Sequence, residues 1–443
     1  MKKRLMSSFL VTLLVSAAVL VGCSKDSNDQ KASSSNGNED NSNQQVAIDF
    51  WGGWTGPDGD VMRSMVDQFN SENPNIKVTL TTLQWTPLFE KFVTQVKAGN
   101  PPSLMAMHPQ DIASFASLGI LDGEAAKNAE VKKEDFAPNV WKQTFLDGKQ
   151  FAIPLDNSTH GLYLNTEMFT KAGLDATKPP KTAAEFIDAA TKLTIDANGK
   201  HPNEAGFDSN NVKQYGFGMP NNHHGFYMWL ALMGQQGESL LNKDQKKIAV
   251  DSAKGADAWK FLEELIYKYK VVPKGQKDPM GDFKAGLTAM VIDGPWQLPG
   301  LETQDKIKWA TAPFFQVYDE PGVWGSGHIL TFPVEKDAKK REAALKLAKW
   351  LSDHSEDWAK SGNIPTKLAV QDKIKDMPGR QAFIDSIPNV KMLPNIAKTQ
   401  QLFSAVAPSP IITATQSIML ENKKPEDVMK DMTDGMNAIL SQP

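Results

Sequence analysis

Apolar residues first fall into sustained order at Val46-Ala47-Ile48-Asp49-Phe50-Trp51, a short run that reads as a strand. Gly52-Gly53-Trp54-Thr55-Gly56-Pro57 then breaks it as a turn. Val61, Met62, Met65, Val66 and Phe69 follow at the spacing of one helical face, and Asn73-Pro74-Asn75 stops that helix. Residues 76–82 predict a second strand, 88–98 a helix, 104–107 a third strand, and 111–118 a helix ending at Gly119. Strand and helix in alternation imply parallel strands with helices on the sheet faces. Helical faces recur at Ala258, Phe261, Leu262, Leu265, Ile266 and Tyr269, and again at Ala344, Leu347, Ala348 and Leu351. Thr182 and Glu185 have the spacing of a capping box at a helix start.

The pattern is most informative between Phe283 and Trp296. A short helix ends near Gly286, a buried apolar strand follows, and Gly294-Pro295 breaks it, leaving Trp296 where the strand stops. Ligands of open α/β sheets bind beyond the carboxyl ends of strands. Trp296 is therefore poised to touch a ligand, or it fills core beneath a loop.

The start of the chain follows a different pattern. Met1-Lys2-Lys3-Arg4, an apolar run over residues 9–21 and then Gly22 have the anatomy of an export signal. That run is too short for the roughly 20 residues of a bilayer span. Leu20-Val21-Gly22-Cys23 resembles a bacterial lipobox, in which the cysteine is lipidated and becomes the new N-terminus. Cys23 is the only cysteine, so a mature chain has no internal disulfide and rests on its core. Residues 24–45 are almost wholly polar and predict a flexible tether.

The chain of 443 residues, 40% hydrophobic and 23% charged, suits two or three globular domains. Its net charge of -4 is mixed along the chain, and no basic stripe suits nucleic acid. Tryptophan is the informative residue type. Trp54, Trp85, Trp296 and Trp324 fall at breaks flanked by Gly or Pro, and Trp229 follows Asn221-Asn222-His223-His224-Gly225 near a helix start. A flat ring stacks on the apolar face of a pyranose, and polar neighbours read the hydroxyls; each of these rings serves packing equally well. Trp259, Trp350 and Trp358 lie within helical patterns and suit packing. Gly52-Gly53-Trp54-Thr55-Gly56 lacks the Lys-Ser/Thr of a phosphate loop, and no G-x-S-x-G occurs. His223 and His224 are adjacent and no cysteine joins them, which argues against zinc. No metal or cofactor is expected. A glycosidase needs only two carboxylates at the right separation, and the sequence leaves that open.

Phe283-Lys284-Ala285-Gly286-Leu287-Thr288-Ala289-Met290 with Gly294 and Trp296 resembles the F-x-x-G-x-x-A-M-x-x-x-G-x-W signature of the extracellular solute-binding proteins of ABC importers, family 1. Further segments resemble that family in order: Gly99 to Ser103 (with Ser where Asp is usual), Gln150 to Asn165, Thr166 to Leu174 with Pro179 to Phe186, Ala343 to Pro365, and Met392 to Asn395. The resemblance implies an α/β, two-lobed periplasmic-binding-protein-like fold, each lobe a mainly parallel sheet flanked by helices, joined by a hinge. It implies a signal peptide over 1–22, a lipidated Cys and tether over 23–45, an N-terminal lobe from 46–154 plus 322–364, and a C-terminal lobe from 155–321 plus 365–443. The crossings fall near Pro154, Gly322 and Pro365.

What the resemblance implies for function is a lipid-anchored, monomeric carrier, not an enzyme. It would bind a sugar, a di- or oligosaccharide, and hand it to importer permease subunits outside the cytoplasm. Its implied ligand contacts are Trp54, Trp85, Gln110, Asp111, Asp156, Asn157, His160, His224, Trp229, Trp296, Trp324 and His328. In the turn His108-Pro109-Gln110-Asp111 the contact is any of the three polar residues; the alternative for Asp111 is that it only caps its helix. Phe403 matches a sugar-packing aromatic of the family or is plain core. One rival is a polyol phosphate or glycerophosphodiester, which needs a cation; Arg occurs only at Arg4, Arg63, Arg341 and Arg380. A secreted glycosidase and a surface adhesin are the others.

Overall fold

A computed structural model describes residues 45–250 and 252–442 and forms the first five elements where the periodicity puts them. They are the strand Val46–Gly52, the helix Pro57–Glu72, the strand Ile76–Thr82, the helix Trp85–Lys97 and the strand Leu104–Met107. The second helix begins at Trp85, ahead of its apolar face, so that ring stands on a helix rather than in a loop. Cys23 and the preceding signal lie outside the described residues. Among the described residues no helix is long and apolar enough to cross a membrane.

The first sheet runs Ile76–Thr82, Val46–Gly52, Leu104–Met107, Ile329–Thr331, Ala152–Pro154. Its first three strands are parallel, as strand–helix alternation requires, and the last two join antiparallel. Side chains alternate between its faces. Phe50, Leu104 and Ala106 enter one apolar cluster with Met62, Phe69 and Leu347, whereas Trp51, Met105 and Met107 enter another with Leu88, Phe92 and Phe115. Both faces are therefore buried at the sheet's centre, which explains why Leu104–Met107 is a continuous apolar run, while the edge strand Ile76–Thr82 alternates.

The second sheet departs from the parallel expectation. Gly161–Asn165 lies centrally between Met290–Asp293 and Trp309–Pro313, and both ladders are antiparallel. Among the described residues, parallel pairing onto the strand Met290–Asp293 and the turn before it survives as isolated bridges, Tyr215 to Thr288 and Gly218 to Val291. Here too both faces are covered: Leu162, Leu164 and Ile292 enter a large cluster with Trp229, Trp259 and Leu262, while Tyr163 and Val291 enter another with Phe283 and Phe383. The two sheets with their helices are the two lobes, called one and two below.

Two local signals act as their chemistry dictates. Thr182 Oγ1 accepts from Glu185 N at 3.3 Å while Glu185 Oε2 accepts from Thr182 N at 3.1 Å, closing the capping box. The helix Pro279–Lys284 ends at Gly286, whose φ is 72°. Leu287 N donates to Asp282 O and Gly286 N to Phe283 O, a Schellman end that frees the chain to enter Met290–Asp293. Gly286→Ala must hold an L residue in the left-handed region, so a loss of about 1–2 kcal/mol is expected by urea denaturation.

Between the sheets, four short strands pair in the order Ile364–Pro365, Asp156–Thr159, Val323–Ser326, Val390–Lys391. Asp156–Thr159 carries the chain from the first sheet into the second, and Val323–Ser326 carries it back. This crossing sheet forms the floor of the candidate site.

Candidate functional site

Strand alternation decides which side chains the crossing sheet presents together. Ser158 faces Ser326 across the ladder, so Asp156, Ser158, Trp324 and Ser326 share one face. Asp156 is buried and fully used: Oδ1 accepts from His328 N at 2.8 Å, and Oδ2 accepts from His328 Nδ1 and Trp358 Nε1, each at 2.7 Å. Ser158 Oγ donates to Asn363 Oδ1 at 2.7 Å, and Ser326 Oγ donates to Gln110 Oε1 at 2.9 Å. Asn157 and Thr159 alternate to the opposite face, where Asn157 Nδ2 and Thr159 Oγ1 are buried without partners.

Lobe one borders this floor with rings and a carboxylate. Trp85 is half-buried, and its ring passes so close to Gly53 that a Cβ there would meet it at 2.0 Å. It stacks on His328 with centroids 5.2 Å apart and sits 4.4 Å from His108. His108 Nδ1 lies 2.8 Å from Asp111 Oδ2, which also accepts from His108 N at 3.0 Å. Asp111 thus caps its turn and orients a histidine at once. Trp54 lies beneath, 2% exposed, packed edge-on against Trp358, Phe50, Trp85 and His328. Its Nε1 is 3.5 Å from His328 Nδ1, but that nitrogen gives its proton to Asp156, so the approach is a ring contact rather than a hydrogen bond. Asp58 is half-buried nearby, and burial raises its carboxyl above the usual range despite His328.

Lobe two supplies the facing wall. The helix His223–Gln235 starts with Asn222 Oδ1 accepting from His224 N at 2.9 Å. His160 Nε2 meets His224 Nδ1 at 2.9 Å. Tyr227 stacks on Trp324 at 4.2 Å and 7°, and His160 lies 4.7 Å from the same indole. Trp296 is half-buried, 5.8 Å from His224, with its ring folded over Gly294 where a Cβ would meet it at 2.1 Å. Burial keeps the imidazoles neutral, pulling His160 down to about 3, His223 to about 4 and His224 well below its ordinary value. Burial also raises the Tyr227 hydroxyl, with Asp111 adding to it from lobe one.

Polar contacts tie the two walls together. Gln400 Nε2 donates to Asp111 Oδ1 at 2.5 Å, Ala113 N donates to Asn395 Oδ1 at 2.8 Å, and Ser114 Oγ donates to Ile396 O at 3.3 Å. Asp111 and Asp156 pair only with histidine; among the described residues no Lys or Arg pairs with either. Two surface hollows of about 240 Å³ and about 460 Å³ share Pro179, Pro180 and Lys181, and neither includes any residue of this site.

Trp85, Gln110, Asp111, Asp156, His160, His224, Trp296, Trp324 and His328 are thus brought together, with Trp54 underneath. Trp229 is not among them. It is fully buried between Phe226 and Trp259, and its Nε1 donates to Gly255 O at 2.9 Å. The reason is helical phase: His223, His224 and Tyr227 share a face at three- and four-residue spacing, and Trp229 falls on the other side. That same spacing would have named Tyr227, which sequence reasoning passed over. Trp229→Ala should cost about 3–5 kcal/mol in a denaturation experiment while leaving the site side chains in place. Phe403 is buried in lobe two, 6.0 Å from Phe226. Trp358, read as packing, is packed but also holds Asp156; its contact spans 202 residues, and nothing local signals it.

A binding protein of Brucella abortus is 24% identical over 394 residues, covering 84% of this chain and 88% of its own. The sn-glycerol-3-phosphate-binding periplasmic protein of Escherichia coli is 28% identical over 160 residues, 34% of this chain and 36% of its own. An ABC transporter solute-binding protein from Thermotoga lettingae, solved with α-D-tagatose, superposes with a TM-score of 0.74 at 26% identity, over 90% of this chain and 100% of that one. Residues 64–382, which take in strands of both lobes, match the bacterial extracellular solute-binding protein family. The chain belongs to that family, whose members bind a solute outside the cytoplasm and are not enzymes.

Proposed function

We propose that this protein captures a sugar, a di- or oligosaccharide, between its lobes and delivers it to the permease of an ABC importer. The observation that carries the reading is the pair of half-buried indoles, Trp85 on one wall and Trp296 on the other, set among histidines and two carboxylates, Asp111 and Asp156, that have no Lys or Arg partner among the described residues. Rings on both walls suit more than one pyranose. We assign residues 46–154 plus 322–364 to one lobe and 155–321 plus 365–443 to the other. Bonds such as Asp111 to Gln400 exist only when the walls meet, so a ligand held by both walls shifts the balance toward closure. Lipidation at Cys23 with the polar segment behind it would hold the protein, as a monomer, at the membrane.

A polyol phosphate is the second reading, favoured by the likeness to the glycerol-3-phosphate binder over about a third of the chain. A phosphate would meet Asp58, Asp111 and Asp156 with no ammonium or guanidinium paired to the latter two. A thermal-shift screen with α- and β-linked disaccharides and trisaccharides, and with sn-glycerol 3-phosphate, tests both. A ligand at about 100 times its dissociation constant should add about 2.7 kcal/mol of stability. A shift with the phosphate alone would replace the sugar reading, and a panel without any shift would remove both.

A further inference from the structure

Five of the seven histidines border the cleft, and four of them form hydrogen-bonded pairs of two kinds. His108 and His328 hold Nδ1 against a carboxylate, 2.8 Å from Asp111 and 2.7 Å from Asp156. An ionised carboxylate only accepts, so the proton sits on Nδ1 and the neutral ring offers Nε2 as an acceptor. His160 and His224 instead meet each other, Nε2 to Nδ1 at 2.9 Å. His160 is fully buried and its Nδ1 has no partner. The neighbouring Trp324 is 6% exposed, and its Nε1, a donor only, also has none. Buried polar atoms without partners are costly, so a pair of them in adjoining rings points to a group that meets them.

One hydrogen shared between two imidazoles couples their tautomers. When His160 donates from Nε2, its Nδ1 is a lone pair and His224 carries its proton on Nε2. When His224 donates from Nδ1, His160 Nδ1 carries a proton and His224 Nε2 is the lone pair. Both rings are neutral in either arrangement, in keeping with the burial that lowers both. A hydroxyl has two lone pairs and one hydrogen: in the second arrangement it accepts from both nitrogens and its hydrogen finds no acceptor between them, whereas in the first it accepts from Trp324 Nε1 and donates to His160 Nδ1, so all three groups are paired. His224 then carries its hydrogen on Nε2, in a ring whose centroid lies 5.8 Å from that of Trp296.

We propose that the His160–His224 pair is a tautomer-coupled reader of an uncharged polyol, in which a ligand hydroxyl held by Trp324 Nε1 and His160 Nδ1 sets His224 Nε2 as a proton donor to the same ligand. The proposal rests on the sugar-cleft reading for the ligand but not for the pair itself. Side-chain nitrogen NMR of the full chain at neutral pH tests it, in buffer, in molar glycerol, and with maltotriose.

A nitrogen–nitrogen coupling between His160 and His224 is expected in all three. Glycerol is expected to drive His224 from mixed tautomers to the Nε2–H form. His160→Phe, with a wild-type melting curve, should leave the His224 tautomer unresponsive and weaken binding of any sugar found to shift the melting by about tenfold. His224 signals unchanged by glycerol, or already in one tautomer without it, would overturn the reader. If glycerol moves the pair and maltotriose and the sugar panel do not, the sugar reading falls and the polyol reader stands. If the variant does not fold, the wild-type glycerol comparison decides.

Discussion

Replacing Trp85 and Trp296 together with alanine is expected to weaken sugar binding about a thousandfold without a matching loss of stability. Each ring is half-buried and packs on the margin of its lobe's apolar cluster, so truncation removes contact surface at a smaller cost in core packing than for a fully buried ring. An aromatic anchor at a desolvated contact is worth about 2 kcal/mol or more, roughly thirtyfold in affinity. The two rings stand on separate walls and share no partner, so their losses should add to about 4 kcal/mol. Trp324 is a poorer test of the same idea. Its indole stacks on Tyr227 and belongs to the core of lobe two, so its removal would mix binding with unfolding. Calorimetric titration of the two single variants and the double variant, each with a melting curve, checks the expectation. A double variant that binds normally would move the site away from these rings.

Sequence pattern located the fold and singled out most of the residues that gather at the candidate site, for identifiable reasons. A strand buried on both faces leaves a continuous apolar run, as Leu104–Met107 does, whereas the edge strand Ile76–Thr82 shows the alternation of a half-covered strand. The pairing direction of the second sheet was not legible, because its central strand enters from the crossing and its neighbours come from far along the chain. Candidate site residues at chain breaks were visible as residue types: Trp85 lies two residues before Pro87, Trp296 follows Gly294-Pro295, and His328 follows Gly327. What the pattern could not show was which partner fixes each one. Asp156 is held by His328 and Trp358, 172 and 202 residues away, and Asp111 by Gln400, 289 residues away. Trp229 shows the opposite failure, since a chemically apt residue near apt neighbours was turned into the core by helical phase alone.

Acidification from pH 6.5 to pH 4.5 should sharply destabilise the protein, and the sign follows from the lobe-two histidines. Burial holds His160 at about 3 and His223 at about 4, against an ordinary value of 6.5. The unfolded chain therefore binds protons below about pH 6.5 that the folded chain refuses. The stability is fully present above that pH and is lost as pH falls toward the folded values, at about 1.4 kcal/mol per pH unit for each fully buried histidine. His223 and His224 keep some exposure, so their shares are smaller than that of His160. Asp293 works the other way. Burial raises it to about 6, so its protonation near that pH favours the folded state and offsets roughly one histidine. Three histidines against one strongly shifted carboxylate leave a net loss of about 1–3 kcal/mol per pH unit, large beside the about 5–15 kcal/mol of a typical domain. Urea denaturation at several pH values reads this directly. Asp293→Asn should steepen the loss and His160→Asn should flatten it; stability that stays level or rises between pH 6.5 and 4.5 would show that these imidazoles are not held neutral by burial.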